Sequence, residues 1–399
     1  MEIRPILSSL RRHKLAAGLV LLEIAVACAI LCNAVFLIRE RLERMRVHTG
    51  IAESELVWVN TDGLGGDSAR SLIERNLAAL RGLSGVHSAV VMKPLPLSNN
   101  SMNFNPTLDA AGTKKGPNIG LFLGSPGYLR TLGVTLVAGR DFNDADFLGM
   151  DQWLPQSPSM IVTRALAEKL WPGLPPVGQA FWVGKKRFDV IGVVDHLARG
   201  ELRGSDSELA AMFAAQPCTN LSSLYVLRVD PQARDRVVRE ASDLLLKRNS
   251  EMLIQNRGTY AEMRASYFKR DTSMAWLLAT VCAALLVITA LGIVGLASFW
   301  VAQRRRQIGI RRAIGATRHD ILRYFQIENF LIVTGGIVLG MAMAYAINLL
   351  LMKHYELPRL PWEYLPVGAV VLWVLGQLAV LGPALRAAAV PPVVATRSV

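Results

Sequence analysis

The stretch nearest to a nucleotide-binding motif is GQAFWVGKK, which begins at Gly178 and ends at Lys186. A phosphate-binding loop follows G-x-x-x-x-G-K-[ST], in which backbone N–H groups cradle the phosphates and the lysine reaches them. Here Gly178 and Gly184 are one residue too far apart, and Lys186 stands where serine or threonine is required. We therefore reject this stretch as a nucleotide site.

Other catalytic and metal-binding patterns are also missing from the sequence. It contains no G-x-S-x-G, H-E-x-x-H or G-x-G-x-x-G motif, and its six histidines are scattered. Cys28 and Cys32 share a helix face, whereas Cys218 is alone in the long polar stretch and has no partner there for a disulfide. We expect the chain to be no enzyme and to bind no cofactor and no metal, although a constellation assembled from distant residues remains open.

Glu23 is the ionisable residue in the most unusual place. It lies in an apolar run, roughly 13 Å along a helix that starts near Leu15. A charge inside a membrane is costly and usually faces a partner or a cavity. Glu23 is thus either a contact at a bundle or dimer interface, or part of a substrate path, or a protonated or interfacial side chain that bonds locally.

Four apolar runs in the sequence are predicted to form transmembrane helices. Only 19% of the chain is charged, against roughly 25% in a soluble domain, which favours a membrane protein. Crossing the hydrocarbon core takes about 20 apolar residues, and four runs are long enough. The predicted transmembrane helices are 15–38, 275–301, 327–352 and 364–385. The first is followed by no small-residue cleavage site, so we interpret it as an uncleaved anchor rather than a signal peptide.

The net charge of +13 is explained by topology rather than by nucleic-acid binding. The segment 302–326 carries seven arginines against one aspartate, and basic residues mark the cytoplasmic side of membrane helices. We expect residues 1–14, 302–326 and 386–399 in the cytoplasm, and 353–363 as a short external loop. The chain would then be a cytoplasmic-membrane protein, with residues 39–274 outside the cytoplasm.

The long segment 39–274 predicts a large α+β domain inserted between the first and second membrane helices. Alternation and helical periodicity predict strand–helix–strand units at its two ends, about 50–96 and 219–258, around a middle of short strands and turns, about 97–218. The predicted strands are 56–60, 86–92, 223–229 and 252–256, and the predicted helices are 69–80 and 232–247.

Two polar segments, 39–49 and 257–274, should link this domain to the membrane. The absence of glycine and proline from Leu37 to Thr49 and from Thr259 to Thr289 favours stiff, continuous helices that move the domain and the membrane helices as one body. The alternative is a pair of simple flexible tethers.

The arginine-rich segment after the second membrane helix is the most specific part of the sequence. It predicts a basic extension of that helix, a break at Gly315, and then a short amphipathic helix with Ile321, Leu322 and Phe325 on one side. Such a helix lies in the membrane interface or docks into a groove on a cytoplasmic partner. The alternative is that the arginines only fix topology and contact anionic lipid.

Residues 304–329, RRRQIGIRRAIGATRHDILRYFQIEN, resemble the signature of the MacB/FtsX-type permeases of ABC transporters, roughly R-x-x-E-I-G-I-R-x-A-x-G-A-x-x-x-x-I. Gln307 in place of the usual glutamate is the one clear departure. The stretches 127–146, 161–181, 188–197 and 382–397 are also similar to motifs of the family, so the likeness covers almost the whole chain.

The resemblance implies a dimeric permease, either a homodimer or a heterodimer, that works with a cytoplasmic ABC ATPase on a separate chain. That ATPase would bind the ATP and magnesium. The inserted domain would consist of a porter-like unit holding a sheet-rich subdomain, and movements would pass between the two sides of the membrane by mechanotransmission. The residues implied to form or position the ATPase contact are Gln307, Gly309, Arg311, Arg312, Gly315 and Ala316. The missing charge at Gln307 puts one expected contact in doubt.

Three functions fit such a permease. The first is export of peptides, antibiotics or similar amphiphiles, with a periplasmic adaptor and an outer-membrane channel as further partners. The second is regulation of an extracytoplasmic enzyme such as a cell-wall hydrolase, and the third is release of lipoproteins. The large inserted domain favours efflux, whereas four membrane helices argue against a membrane-anchored ligand sensor. The sequence does not name the substrate.

Overall fold

A computed structural model describes residues 14–62, 69–151, 154–202, 206–215, 224–249, 252–355 and 361–389. The chain forms two compact units. We call residues 1–45 with 270–399 the helical unit and residues 46–269 the α+β domain. Cys218, the basic residues before position 14, the centre of the predicted loop 353–363 and the end of the motif 382–397 lie outside the described residues.

The helices of the described residues differ greatly in length, and four of them exceed 24 residues. The helices are α1 (Lys14–Met45), α2 (Ala69–Arg81), α3 (Tyr128–Leu132), α4 (Arg164–Leu170), α5 (Arg234–Arg248), α6 (Tyr260–Tyr267), α7 (Lys269–Gln303), α8 (Arg305–Ala313), α9 (Arg318–Tyr355) and α10 (Tyr364–Ala388).

The strands all belong to the α+β domain, as far as the chain is described. They are β1 (Leu56–Asp62), β2 (Val86–Lys93), β3 (Asn103–Phe104), β4 (Ile119–Gly124), β5 (Leu136–Gly139), β6 (Met150–Asp151), β7 (Leu154–Pro155), β8 (Ser159–Thr163), β9 (Ala180–Val183), β10 (Lys186–Val194), β11 (Ala210–Ala214), β12 (Leu224–Val229) and β13 (Leu253–Thr259).

The four predicted membrane helices are confirmed as helices. Among the described residues, four segments are long and apolar enough to cross a membrane: Leu15–Met45, Lys269–Gln303, Arg318–Leu350 and Tyr364–Ala388. The third of these segments differs from the prediction. The amphipathic segment after Gly315 is not a separate helix. It is the first part of α9, which runs without interruption into the membrane-type segment.

The predicted strands and helices at the two ends of the α+β domain are confirmed to within a few residues. Strands β13, β1, β12 and β2 are neighbours in that order and pair antiparallel. With α2 and α5 they form a βαββαβ arrangement of the ferredoxin-like type. The sheet has this order because α2 and α5 each connect two strands that are not adjacent in it.

The middle of the domain continues the same sheet. Met92 and Lys93 at the end of β2 pair with Gly124 and Leu123 of β4, and the order then proceeds through β11, β8, β10 and β5. One face of the sheet packs against α2, α4 and α5, and the other against α3 and α6. Because both faces are covered, strands such as β4 and β11 are buried at every position.

The prediction of a continuous helix over 257–274 is wrong. The segment begins in β13, because Gly258 and Thr259 still pair with β1. The side chains of Thr259 and Glu262 then form a reciprocal cap that starts α6. That helix ends at the buried Phe268, before α7 begins. In the first link, α1 is helical as far as Met45, and 46–52 is irregular.

Glycines allow α1 to pack closely against α9 and α10. A Cβ atom on Gly340 of α9 would lie 2.6 Å from the carbonyl oxygen of Ala25, and one on Gly336 would lie 2.7 Å from Ile24. Small residues at such crossings let helix backbones approach within van der Waals contact in a membrane. The end of α1 also contacts α7, through an ion pair between Arg41 and Asp271.

Candidate functional site

The break between α7 and α8 is held by a buried ion pair. Arg304 leaves the helical conformation, with φ −101° and ψ 11°. Its Nη1 donates to Glu328 Oε1 at 3.1 Å and to Oε2 at 3.0 Å, and its guanidinium lies 5.5 Å from the centre of the Trp300 ring. Glu328 is only 1% exposed. Removing one partner of a buried pair leaves an uncompensated charge and costs about 3–5 kcal/mol.

One side of α8 packs inward. Ile308 is buried in an apolar cluster with Ile321 and Phe325 of α9 and alanines at the end of α10. One turn further, Arg312 Nη1 donates to the carbonyl oxygen of Ala388 at 3.1 Å. A cation suits this place because the last carbonyl groups of a helix carry partial negative charge. The inward side therefore attaches α8 to two membrane-type helices.

The opposite side of α8 is exposed. Gln307, Ile310 and Arg311 of α8 and Ile314, which caps the C-terminal end of the helix, follow each other at i, i+3, i+4 and i+7, which places them on one side. We call these four residues the α8 face. Ile314 is 81% exposed and Ile310 is 43% exposed. The guanidinium of Arg311 lies 5.2 Å from the centre of the Tyr324 ring, so the aromatic ring supports this side chain.

Gly315 and Thr317 shape the turn into α9. Gly315 has φ +107°, a backbone conformation that residues with a Cβ rarely adopt. The carbonyl oxygen of Arg311 accepts from the N–H of Ala316 at 3.0 Å. Asp320 Oδ2 accepts from the N–H of Thr317 at 3.0 Å, while Thr317 Oγ1 accepts from the N–H of Asp320 at 3.2 Å. This reciprocal cap fixes where α9 begins.

The six residues predicted for the ATPase contact are thus placed in two environments. Gln307, Arg311 and Gly315 are exposed, whereas Gly309 is buried and Arg312 and Ala316 are partly buried.

Sequence reasoning missed the two exposed isoleucines of the α8 face, although their spacing from Gln307 and Arg311 was a readable signal. It also missed the ion pair of Arg304, because nothing in the sequence links that residue to Glu328, 24 positions later.

Glu23 lies against α7. Its carboxylate approaches Gly292 so closely that a Cβ on this glycine would lie 2.5 Å from Glu23 Oε2. Within the described ranges, Oε1 of Glu23 is buried and has no hydrogen-bond partner. The local hydrogen bond considered for Glu23 is therefore absent at this oxygen, and the side chain marks a close contact between α1 and α7.

No group of three or more His, Cys, Asp or Glu that could hold a metal occurs in the part of the chain that the structure describes. The four long apolar helices and the inserted domain together define a polytopic membrane protein. Its α+β domain lies between the first and second membrane-type helices.

Two family models match. The model for the MacB-like periplasmic core domain matches residues 24–244, and the model for the FtsX-like permease C-terminal domain matches residues 279–392. The chain therefore belongs to the MacB/FtsX-type family of ABC transporter permeases.

Individual relatives are similar over different lengths. The uncharacterized ABC transporter permease YknZ of Bacillus subtilis is 23% identical over 99% of this chain and 98% of its own length. The macrolide export ATP-binding/permease protein MacB 1/2 of Paracoccus denitrificans is 25% identical over 87% of this chain, which spans about half (51%) of that relative. The periplasmic region of MacB from Actinobacillus actinomycetemcomitans, a crystal structure, aligns with 57% of this chain and 97% of its own at 17% identity, with a TM-score of 0.36.

Proposed function

We propose that this chain is the permease subunit of an ABC exporter whose ATPase is a separate cytoplasmic chain. ATP hydrolysis on that partner, which binds the ATP and magnesium, drives movement of the α+β domain by mechanotransmission. The cargo is a peptide, an antibiotic or a similar amphiphile taken from outside the cytoplasm. The observation that carries the proposal is the α8 face. Two isoleucines and an arginine that contacts an aromatic ring are exposed there, while the opposite side of α8 packs against α9 and α10.

The chemistry of the α8 face suits a protein partner. Exposed apolar residues rimmed by polar ones mark interaction sites, and arginine is enriched at protein interfaces. Lipid contact alone would explain the arginines, but it does not require Gln307 between them. Ile308 and Arg312 join α8 to α9 and α10. A movement of the α8 face would therefore be transmitted to these two helices.

Charge supports the proposed orientation. Residues 302–326 contain seven arginines, and basic residues favour a cytoplasmic position for this end of the helical unit, with both termini on the same side. The α+β domain is then outside the cytoplasm, and the chain lies in the bacterial inner membrane. An adaptor and an outer-membrane channel would complete the export path.

A dimer is part of the proposal. Helix α7 is the least buried of the four membrane-type helices, and Trp276, Leu277, Val287 and Leu291 are all more than half exposed along it. A second permease chain, identical or different, would cover part of this surface. The contact between Glu23 and Gly292 would then lie beside the dimer interface.

The test is co-purification of the full chain with candidate ABC ATPases. Ile310→Glu and Ile314→Glu introduce charges into the α8 face without touching its inward side, and we expect them to abolish ATPase binding. Arg305→Glu is the matched control, because Arg305 is exposed on α8 outside this face. If both face variants retain the ATPase, the docking assignment is wrong.

The triple variant Arg311→Ala, Arg312→Ala, Gly315→Ala tests the predicted contact residues themselves. We expect it to lose the ATPase while it still inserts into the membrane. Normal binding by this variant would contradict the coupling role.

A further inference from the structure

The α+β domain contains a cleft of about 700 Å³. Among the described residues its walls are the edge strand β13, its neighbour β1, the segment 94–100 that follows β2, and helix α6. The volume falls within the range of about 300–1,000 Å³ found for small-ligand sites.

A β-bulge lines one wall with amide side chains. Asn60 pairs with Asn256 and Thr61 pairs with Ile254, so Gln255 is an extra residue in β13. Asn60 Nδ2 donates to Gln255 Oε1 at 3.0 Å. Bulges of this kind redirect side chains and are frequent next to binding sites. Here the bulge brings three amide groups to the surface of the cleft.

The opposite wall has an unusual backbone. Leu97 has φ +57° and Asn99 has φ +55°, a region that residues with side chains rarely adopt. The N–H of Leu97 donates to the carbonyl oxygen of Arg199 at 3.3 Å, which helps to hold this conformation. Strained backbone persists where the surroundings enforce it and is concentrated at binding sites. The turn presents Asn99 and Asn100 to the cleft, opposite the amides of β1 and β13.

The floor of the cleft is apolar and rigid. Trp58, Leu97 and Met263 line it, and each is less than one-tenth exposed. The Nε1–H group of Trp58 donates to the carbonyl oxygen of Thr259 at 3.3 Å, which fixes the indole ring. Charges of both signs, Asp62 and Arg257, also line the cleft, and Asp62 Oδ2 accepts from Gln255 Nε2 at 2.9 Å. The cleft therefore combines an apolar floor with a ring of donors and acceptors.

We propose that this cleft binds a short stretch of peptide. An asparagine amide carries both a donor and an acceptor, as each peptide group does, and Asn99, Asn100 and Asn256 line the cleft. The apolar floor accepts one side chain of the ligand, and Asp62 and Arg257 suit its charged ends. A long acyl chain suits the cleft less well, because its hydrocarbon makes no hydrogen bonds with Asn99 and Asn100 of the turn. The inference rests on the proposed export function and assigns peptides as the cargo class.

The experiment uses the full chain in lipid nanodiscs and a fluorescein-labelled pool of random hexapeptides, with fluorescence polarisation as the readout. We expect saturable binding that the unlabelled pool displaces and lysophosphatidylcholine does not. Gln255→Leu and Asn256→Leu should each weaken binding about fivefold, the effect of roughly one lost hydrogen bond. Gln232→Leu is the matched control, because Gln232 is exposed in the same domain outside the cleft.

A second variant separates loss of binding from loss of folding. Asn100→Trp fills the cleft from an exposed turn and leaves the amides of β13 in place, so we expect it to abolish binding without changing the melting temperature. The proposal is overturned by a wild type that binds no peptide, by equal effects of Gln255→Leu and Gln232→Leu, or by displacement with lysophosphatidylcholine. ATPase co-purification from the same preparations shows separately whether the permease assignment stands.

Discussion

Arg264 Nη1 lies 2.6 Å from Glu53 Oε1, and Arg264 Nη2 donates to the carbonyl oxygen of Val47 at 2.9 Å. Arg264 belongs to α6, which precedes α7, whereas Val47 and Glu53 follow α1. One guanidinium therefore joins the two segments through which the α+β domain is connected to the rest of the chain. The flat fork of donors suits arginine, because a lysine cannot reach both oxygens in fixed directions.

Replacing Arg264 should loosen this junction. We expect Arg264→Ala to accelerate amide hydrogen exchange in residues 46–52, because it removes two charge-assisted hydrogen bonds, each contributing about 1.5–3 kcal/mol. Arg264→Lys should have a smaller effect. The matched control is Arg239→Ala, which removes an exposed arginine from α5. Unchanged exchange in 46–52 for Arg264→Ala would show that other contacts hold the junction.

The ion pair between Arg304 and Glu328 permits a double-mutant test. We expect Arg304→Met and Glu328→Leu each to destabilise the chain by about 3–5 kcal/mol, because each leaves one buried charge alone. The double variant should cost less than either single change, since no charge remains. Unfolding of the full chain in detergent, followed by tryptophan fluorescence, measures all four forms. Additive costs would mean that the two residues act independently.

The sequence was sufficient for much of the fold. Strands such as 56–60 and 86–92 were predicted to within two residues, because alternation and turn residues are local signals. The wrong prediction of a continuous helix over 257–274 could not be corrected from the residues of that segment alone. Gly258 and Thr259 remain in a strand because they pair with β1, about 200 positions earlier, and such pairing leaves no trace in the segment itself.

The candidate site was predictable in location but not in detail. The resemblance pointed to 304–329, and the structure places an exposed helix there. Which residues face outward depends on the register of α8 against α9 and α10. That register is set by Ile308 and Arg312, whose partners Ile321 and Ala388 are distant in sequence. The resemblance therefore implied the same role for Gly309 and Arg311, although only Arg311 is exposed.

Gly340 should tolerate no larger side chain. Its hypothetical Cβ lies 2.6 Å from the carbonyl oxygen of Ala25 on α1, so Gly340→Leu must push α1 and α9 apart. Overpacking typically costs about 1–3 kcal/mol, and we expect a lower melting temperature in detergent. Gly295→Leu in α7 makes the same change where no atom lies within 4 Å, and it should melt like the wild type. Equal melting of the two variants would contradict the close packing.

Asp146, the last residue of the GRDFNDAD stretch in the α+β domain, bonds this stretch to itself and to β8. Its Oδ2 lies 2.6 Å from Arg140 Nη1, and its Oδ1 accepts from Ser159 Oγ at 2.6 Å. Burial by itself would raise the pKa of Asp146, but the hydrogen bonds from Arg140, Ser159 and the N–H of Asn143 outweigh it and hold the pKa below its usual value. The carboxylate is thus more stable in the folded chain than in the unfolded one.

The sign of the pH effect follows from that lowered pKa. Asp146 contributes its stability above the unfolded pKa of about 3.9, and the contribution is lost as the pH falls through the folded pKa. At pH 7 we expect Asp146→Asn to unfold at a lower temperature than the wild type, with a loss of about 2 kcal/mol for the weakened bonds. The gap should begin to narrow below about pH 4, where the unfolded chain binds the proton, and should close as the pH falls through the lowered folded pKa. Asp144→Asn, which alters an exposed acid two residues away, should show no such gap. A gap for Asp146→Asn that is as large at pH 2.5 as at pH 7 would contradict the ionic origin.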